Sequence, residues 1–580
     1  MRATALISVL VFVAAACGSS GGSSKSGGTS PPASIGGLSA PNESSLTPVN
    51  GGDLTYGIEA DTSGGYCLYK AQLAIGGIQV ARAIYDTLTI PGQDGKIHPF
   101  LAKSVVGSNN NKTWTITLRP GIKFHDGTEL NAEVVKENLD HYRKENPLFV
   151  FVFPSITSVD VVDNMTVKVE SSVSWTAFPW FLWSSSRLGI MAKAQMDSPD
   201  CNTKLIGTGP FMCQGACQKF GQQTTVKRNP NYWLKDDKGN QLPYLNSIKF
   251  VPQEDGPKRL SSLQAGDFQA IHTSGPHQIV QIRKDVKDGS LADVESDKYA
   301  EVGYIMLNTC GGSKTQDPVK YISCGQGTPF SHKSAREAVA YGIDRNLFNH
   351  IANEDILQQA YGPFAPGAPG YVDDGASLWP KFDPAKAKAA AAQYQTETGK
   401  KLTFTLNHTA DPDTTADAKL VKQMLHDNVG IDIALNPVAD QSTLINIAVG
   451  RNYDATLWRN HPGADPDTQY VWWHCGNPTT NNCDNLVNFG AFNDPTINKL
   501  FDEARSMPDG PARDAKYQDI TREFAKQLYD LWAQYTLWVV AMKPNVHGVL
   551  ATKLPDGTGA FEGLPTGHEV TAMWCDAGKC

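Results

Sequence analysis

Apolar and polar residues alternate in several short runs along this chain, with longer runs of three- and four-residue spacing between them. Residues 52–59 (GDLTYGIE) alternate as a first strand, and 112–119 (KTWTITLR) set Trp114, Ile116 and Leu118 on one face before Pro120-Gly121 turns the chain. Residues 131–142 place Val134, Val135, Leu139 and Tyr142 at helical spacing, and strand-like 158–162 and 166–170 flank an Asp163-Asn164 turn. A helix is also expected over 334–347, where Arg336 and Arg345 are read as capping or pairing groups. Further on, Asp383-Pro384 reads as the N-cap and first residue of a helix that Gly399 stops. A strand at 402–407, a helix at 416–428 ending near Gly430 and a strand at 431–435 follow. Such strand–helix–strand units build an α/β fold, a sheet covered by helices.

The start of the chain has a different pattern. Arg2 precedes an apolar run at 5–13 (ALISVLVFV), too short to span a bilayer, and Ala14, Ala15 and Ala16 lead into Cys17. This predicts a signal peptide over 1–16. The small residues before Cys17 resemble a bacterial lipoprotein box, which implies that Cys17 is acylated and anchors the chain to the outer face of the cell membrane. Residues 17–50, rich in Gly, Ser and Pro, read as a tether. The rest is long enough for two or three domains.

Charge and cysteine content narrow the function. There are 51 basic and 59 acidic residues and no Lys/Arg cluster, which makes nucleic acid an improbable partner. Eleven cysteines less Cys17 leave ten, an even number in a chain read as exported. Four pairs lie close in sequence, Cys213-Cys217, Cys310-Cys324, Cys475-Cys483 and Cys575-Cys580, and Cys67 and Cys201 remain to pair with each other. Zinc is the rival use, but Cys213 and Cys217 have no second close Cys or His pair beside them.

Several segments carry a resemblance. Residues 83–88 (AIYDTL), 114–127 (WTITLRPGIKFHDG), 206–211 (IGTGPF), 227–233 (KRNPNYW), 263–268 (LQAGDF), 335–345 (AREAVAYGIDR) and 493–504 (NDPTINKLFDEA) occur in the order and wording of one family. Leu307-Asn308, Pro329-Phe330 and Val546-His547-Gly548 fit the same series. Over about residues 50–550 the chain resembles the family 5 extracellular solute-binding proteins of ABC importers, the dipeptide- and oligopeptide-binding group. These segments suit a scaffold more than a pocket.

The resemblance implies a two-lobed, class II periplasmic-binding-protein-like clamp with an additional domain. Lobe I would comprise 51–82, 205–300 and 535–580, the additional domain 83–204, and lobe II 301–534. It also implies capture of a peptide or peptide-like solute by hinge closure and delivery to ABC permease subunits, by a monomer without cofactor or catalysis. The family's ligand strand and loop correspond to 453–470, with Trp458 at the family's Trp and Asp465-Pro466-Asp467 as a turn. Where the family's amine-binding Asp stands three residues after that Trp, this chain has His461, and an imidazole cannot replace a carboxylate opposite an ammonium. Asp465 is then the preferred amine anchor; the alternative is an anionic ligand facing Arg459 and His461. The loop after the first strand, 61–67 (DTSGGYC), brings Asp61 and Tyr66 towards the ligand, with a Cys67 disulfide fixing it at the cleft mouth.

Two other classes stay open. A metal-chelate carrier, of nickel or haem type, could use His461 and His474. A secreted hydrolase has less to draw on, because beyond the Gly/Ser-rich residues 17–50 the chain has no Gly-x-Ser-x-Gly elbow, and it has no His-Glu-x-x-His and no P-loop.

Overall fold

The computed structural model describes residues 38–62, 64–310, 327–460, 463–476, 485, 487–561, 563–564 and 567–580. Residues 1–37, with the expected signal peptide and Cys17, lie outside them, as does His461. Three sheets organise the chain. The largest has nine strands, with Asp53–Ile58 at its centre, parallel to both Ser247–Pro252 and Ala270–Thr273. Trp538–Met542 returns antiparallel between Ala270–Thr273 and Ala292–Ser296. This sheet is the frame of lobe I.

Lobe II is built on a five-stranded sheet in the order Ala434–Val438, Thr405–Thr409, Ala455–Asn460, Val302–Leu307, Asp530–Tyr535. Every residue of Val302–Leu307 is buried, as befits a strand covered on both faces. Between Asp53–Ile58 and Ser247–Pro252 the chain makes the additional domain, a four-stranded antiparallel sheet of Ala102–Ser108, Thr113–Leu118, Thr166–Ser171 and Ile156–Asp163. Thr113–Leu118 and Thr166–Ser171 alternate buried and half-buried positions along their whole length, and helix Ala132–Glu145 packs on this sheet.

The chain crosses between the two lobes twice, at 297–301 and at 536–537. The crossings are bonded together: the Thr536 N–H donates to the Glu301 carbonyl at 2.9 Å and its hydroxyl donates to the same oxygen at 3.3 Å. Two short strands of chain side by side make a hinge.

Several elements differ from the sequence reading. The single helix expected over 334–347 is two, Lys333–Gly342 and Arg345–Asn353, because Asp344 caps the second by accepting from the Asn346 and Leu347 N–H groups. The strands expected at 402–407 and 431–435 lie at Thr405–Thr409 and Ala434–Val438. Leu402, Phe404, Ile431 and Ile433 are all buried just ahead of the paired ladder, so their alternation reported burial and not strand pairing. Residues 38–50, read as tether, lie on lobe I. Leu38–Ser39 pairs with Glu295 and Ser296, and the Glu43 carboxylate takes the Gly548 N–H at 3.0 Å and contacts the His547 ring at 3.3 Å.

In the Gly-Thr-Gly-Pro segment the requirement is close approach and not an unusual φ. A Cβ on Gly207 would stand 2.1 Å from the Ile84 carbonyl oxygen, and one on Gly209 would stand 2.6 Å from it. Disulfides join Cys67 to Cys201, Cys213 to Cys217 and Cys575 to Cys580. Cys310 and Cys475 are also disulfide-bonded, and the partners expected for them, Cys324 and Cys483, lie outside the described residues.

Candidate functional site

A cavity of about 410 Å³ lies between the lobes. Lobe I contributes Glu59 and Ala60 after its central strand, the Glu254 loop, and 273–278 after strand Ala270–Thr273. Lobe II contributes Trp458 and Arg459 from its central strand, 531–534 from the edge strand, and the first turns of helix Pro412–Val429. Ile343, Phe348, Leu357, Leu420 and Leu444 give the lobe II wall an apolar section beside these polar groups. Enclosed, mostly apolar space with a few placed polar groups is what a small-ligand site requires.

Of the sequence-predicted ligand residues, the structure brings Trp458 and Arg459 to the cavity. Trp458 is 8% exposed and packs edge-on against Phe489, ring centres 5.4 Å apart. Arg459 reaches across to lobe I. Its guanidinium donates to Ser274 Oγ at 2.7 Å and to the Glu59 carboxylate at 3.1 Å, and Glu301 lies 3.6 Å away. Two more contacts cross the cleft: Gln278 Nε2 donates to Asp413 at 3.0 Å, and His277 meets Glu354 at 2.8 Å. The lobes therefore stand closed on each other.

The other predicted residues are engaged elsewhere. Asp465 faces away from the cavity into a buried, two-pronged ion pair with Arg513, at 2.7 and 2.8 Å, while capping the Asp467 N–H. Paired in this way, Asp465 is not among the carboxylates that line the cavity. Asp467 is fully buried, paired with Arg505 at 3.1 Å and accepting the Trp175 indole N–H at 2.8 Å, which ties the additional domain to lobe II. Asp61 accepts the Thr62 and Gly221 N–H groups. Tyr66 is buried, and its backbone N–H donates to the Asn202 carbonyl at 3.1 Å. The Cys67–Cys201 bond draws this loop onto the additional domain, so the cleft is lined instead by Ala60 before it and Ala74-Ile75 after it.

The carboxylates that do line the cavity are Glu59, Glu254, Glu301, Asp411, Asp413 and Asp417. Asp411 is the N-cap of helix Pro412–Val429, and Asp413 and Asp417 stand one turn apart on the same helix face. Burial raises Asp417 to about 8, with Asp413 and Asp411 adding to it. Desolvation raises Glu254 to about 7, helped by Asp440, Asp411 and Glu59, and burial raises Glu301 to about 7 against the pull of Arg459. The nearby arginines are partly engaged: Arg259 donates to the His272 and Gln253 carbonyls, and Arg345 donates through Nη2 to those of Ala360 and Ala533. A signal for these acids was present in the sequence, since 411–417 (DPDTTAD) opens with the same Asp-Pro cap as 383–384. Among the described residues no three His, Cys, Asp or Glu side chains form a metal-ligating group, and no helix is long and apolar enough to cross a membrane.

Two α/β lobes joined by a double crossover around an enclosed cavity, with a third domain inserted in one lobe, define a two-lobed, class II periplasmic-binding-protein-like clamp. The chain belongs to the bacterial extracellular solute-binding proteins, family 5, whose model matches residues 96–482. It is 29% identical over 323 residues to the glutathione-binding protein of Salmonella typhi, a match covering 53% of this chain and 55% of that protein, so the chain spans about half the length of such relatives. It is 23% identical to the nickel-binding periplasmic protein of Escherichia coli over 81% of this chain and 88% of that one. In fold it is similar to an agropinic-acid complex of a binding protein from A. tumefacien R10 (TM-score 0.75, 24% identity, 90% and 99% of the two chains). It is also similar to the oligopeptide-binding protein of Bacillus subtilis with a nonapeptide (TM-score 0.70, 21% identity, 87% and 96%).

Proposed function

We propose that this chain is the substrate-binding component of an ABC importer, taking a peptide or peptide-like solute into the interlobe cleft and presenting the closed form to a membrane permease. The observation that carries this reading is the cavity of about 410 Å³ walled by both lobes, which only two short crossovers connect. A ligand touching both walls favours the closed state by its differential affinity for it, and no bond-making is needed. Export and acylation at Cys17 belong to the same reading, supported by the apolar run and small residues before that cysteine. It takes the protein to act as a monomer.

The cross-cleft bond of Arg459 is part of the closing energy. Hydrogen bonds to charged groups contribute about 1.5–3 kcal/mol, so Arg459→Ala is expected to weaken ligand binding by roughly tenfold or more. It should also expand the ligand-free protein in small-angle scattering. Calorimetry and scattering against libraries of two- to five-residue peptides test the whole proposal; a wild-type protein that neither binds nor compacts with any of them refutes it.

A further inference from the structure

The cleft is charged unevenly, and its unevenness points to a class of guest. Among the described residues, Glu254, Asp411, Asp413 and Asp417 line the cavity without an ion pair to any Lys or Arg. Asp411 spends its oxygens on the Thr414 N–H and the Thr409 and Thr414 hydroxyls, and Asp413 accepts from Gln278. Arg459 is matched by Glu59 and Glu301. Arg259 and Arg345 spend guanidinium donors on backbone carbonyls. Crowded carboxylates of this kind either keep protons or draw in a cation.

A polar section stands beside these acids in the same cavity. Trp532, Arg345 and Gln534 all line it. Trp532 is 1% exposed, and its indole Nε1–H has no acceptor among the described residues; the Arg345 Nε–H has none either, and Gln534 Oε1 has no donor. These atoms are themselves closed off from solvent, so they belong to the packing behind the cavity wall and not to the surface a guest touches. The apolar section formed by Ile343, Phe348, Leu357, Leu420 and Leu444 leaves room for a hydrocarbon side chain.

Resting on the reading of the protein as a peptide-type solute receptor, we propose that its ligands carry a net positive charge, with an ammonium or guanidinium group held by Asp413 and Asp417 at the start of helix Pro412–Val429 and by Glu254 from the facing lobe. The residues that set this preference lie outside the strand and loop at 453–470.

Three pools of synthetic two- to five-residue peptides, identical except for one Lys, Gln or Glu, are titrated calorimetrically into the whole protein and into Asp417→Asn. The Lys pool is expected to bind at least tenfold tighter than the Glu pool. Asp417→Asn is expected to lose about tenfold for the Lys pool and to narrow the preference for Lys over Gln, with an unchanged melting temperature. If the wild-type protein binds the Gln or Glu pool as tightly as the Lys pool, the charge class is wrong and solute capture stands. If Asp417→Asn keeps the full preference for Lys, the assignment to this helix is wrong. Wild-type protein that binds no pool overturns both this proposal and the functional reading beneath it.

Discussion

Replacing Cys67 and Cys201 by serine is expected to cost about 4–5 kcal/mol of stability in the chain-entropy model, measured as a shift in the urea midpoint at constant slope. The bond spans 134 residues, nearly the whole additional domain, so it removes much of the freedom of the unfolded chain. Burial of Tyr66, Leu68 and Tyr69 and a handful of polar contacts would remain to hold the 61–70 loop in place. The polar contacts include Tyr66 N–H to the Asn202 carbonyl at 3.1 Å and Gln195 Nε2 to the Tyr66 carbonyl at 3.0 Å. Because Ala60 and Ala74 flank this loop and both line the cavity, ligand affinity should fall together with stability. A double variant with wild-type midpoint and affinity would show that these packing contacts alone fix the loop.

The second large effect lies at the junction of the additional domain with lobe II. Arg505→Ala leaves Asp467 fully buried with its ion-pair partner gone, and removing one member of a buried pair costs about 3–5 kcal/mol. The loss is compounded by the guanidinium lying 3.6 Å from the centre of the Tyr470 ring and 4.8 Å from that of Trp175. Calorimetry should then resolve an early transition for the additional domain, whose Trp175 and Thr176 bond to Asp467 and to the Arg505 and Met507 carbonyls. Replacing Asp467 by Leu as well should recover much of the loss, since no lone charge is left buried. A single cooperative transition at the wild-type temperature in Arg505→Ala would contradict the account.

The scaffold was more legible in the sequence than the site. Alternation gave the strands at Asp53–Ile58 and Thr113–Leu118 to within a residue or two, and Asp383, Pro384 and Gly399 delimit helix Pro384–Thr398 by side-chain chemistry that needs no tertiary context. Residues 416–428 were read as a helix, but its true start at Pro412 was missed although Asp411-Pro412 repeats the same cap. That omission hid the acidic wall, because Asp413 and Asp417 share a face only if the helix already runs through 413. Trp458 follows from the family pattern, and Arg459, which entered only with the anionic-ligand alternative, stands beside it at the cavity. Asp465 and Asp467 were misleading: an Asp-Pro-Asp turn looks alike whether it faces a ligand or a buried arginine, and their partners Arg513 and Arg505 lie 48 and 38 residues away, where no local spacing reveals them. Glu254 and Glu59 come from the other lobe, and only folding brings them opposite helix Pro412–Val429.

The strand Leu38–Ser39, laid along Glu295 and Ser296, has a mechanical consequence. Any pull on the chain ahead of it is borne by the nine-stranded sheet, at a position before both crossovers, so it does not load the hinge. The five-stranded body can swing while its companion stays fixed at that strand.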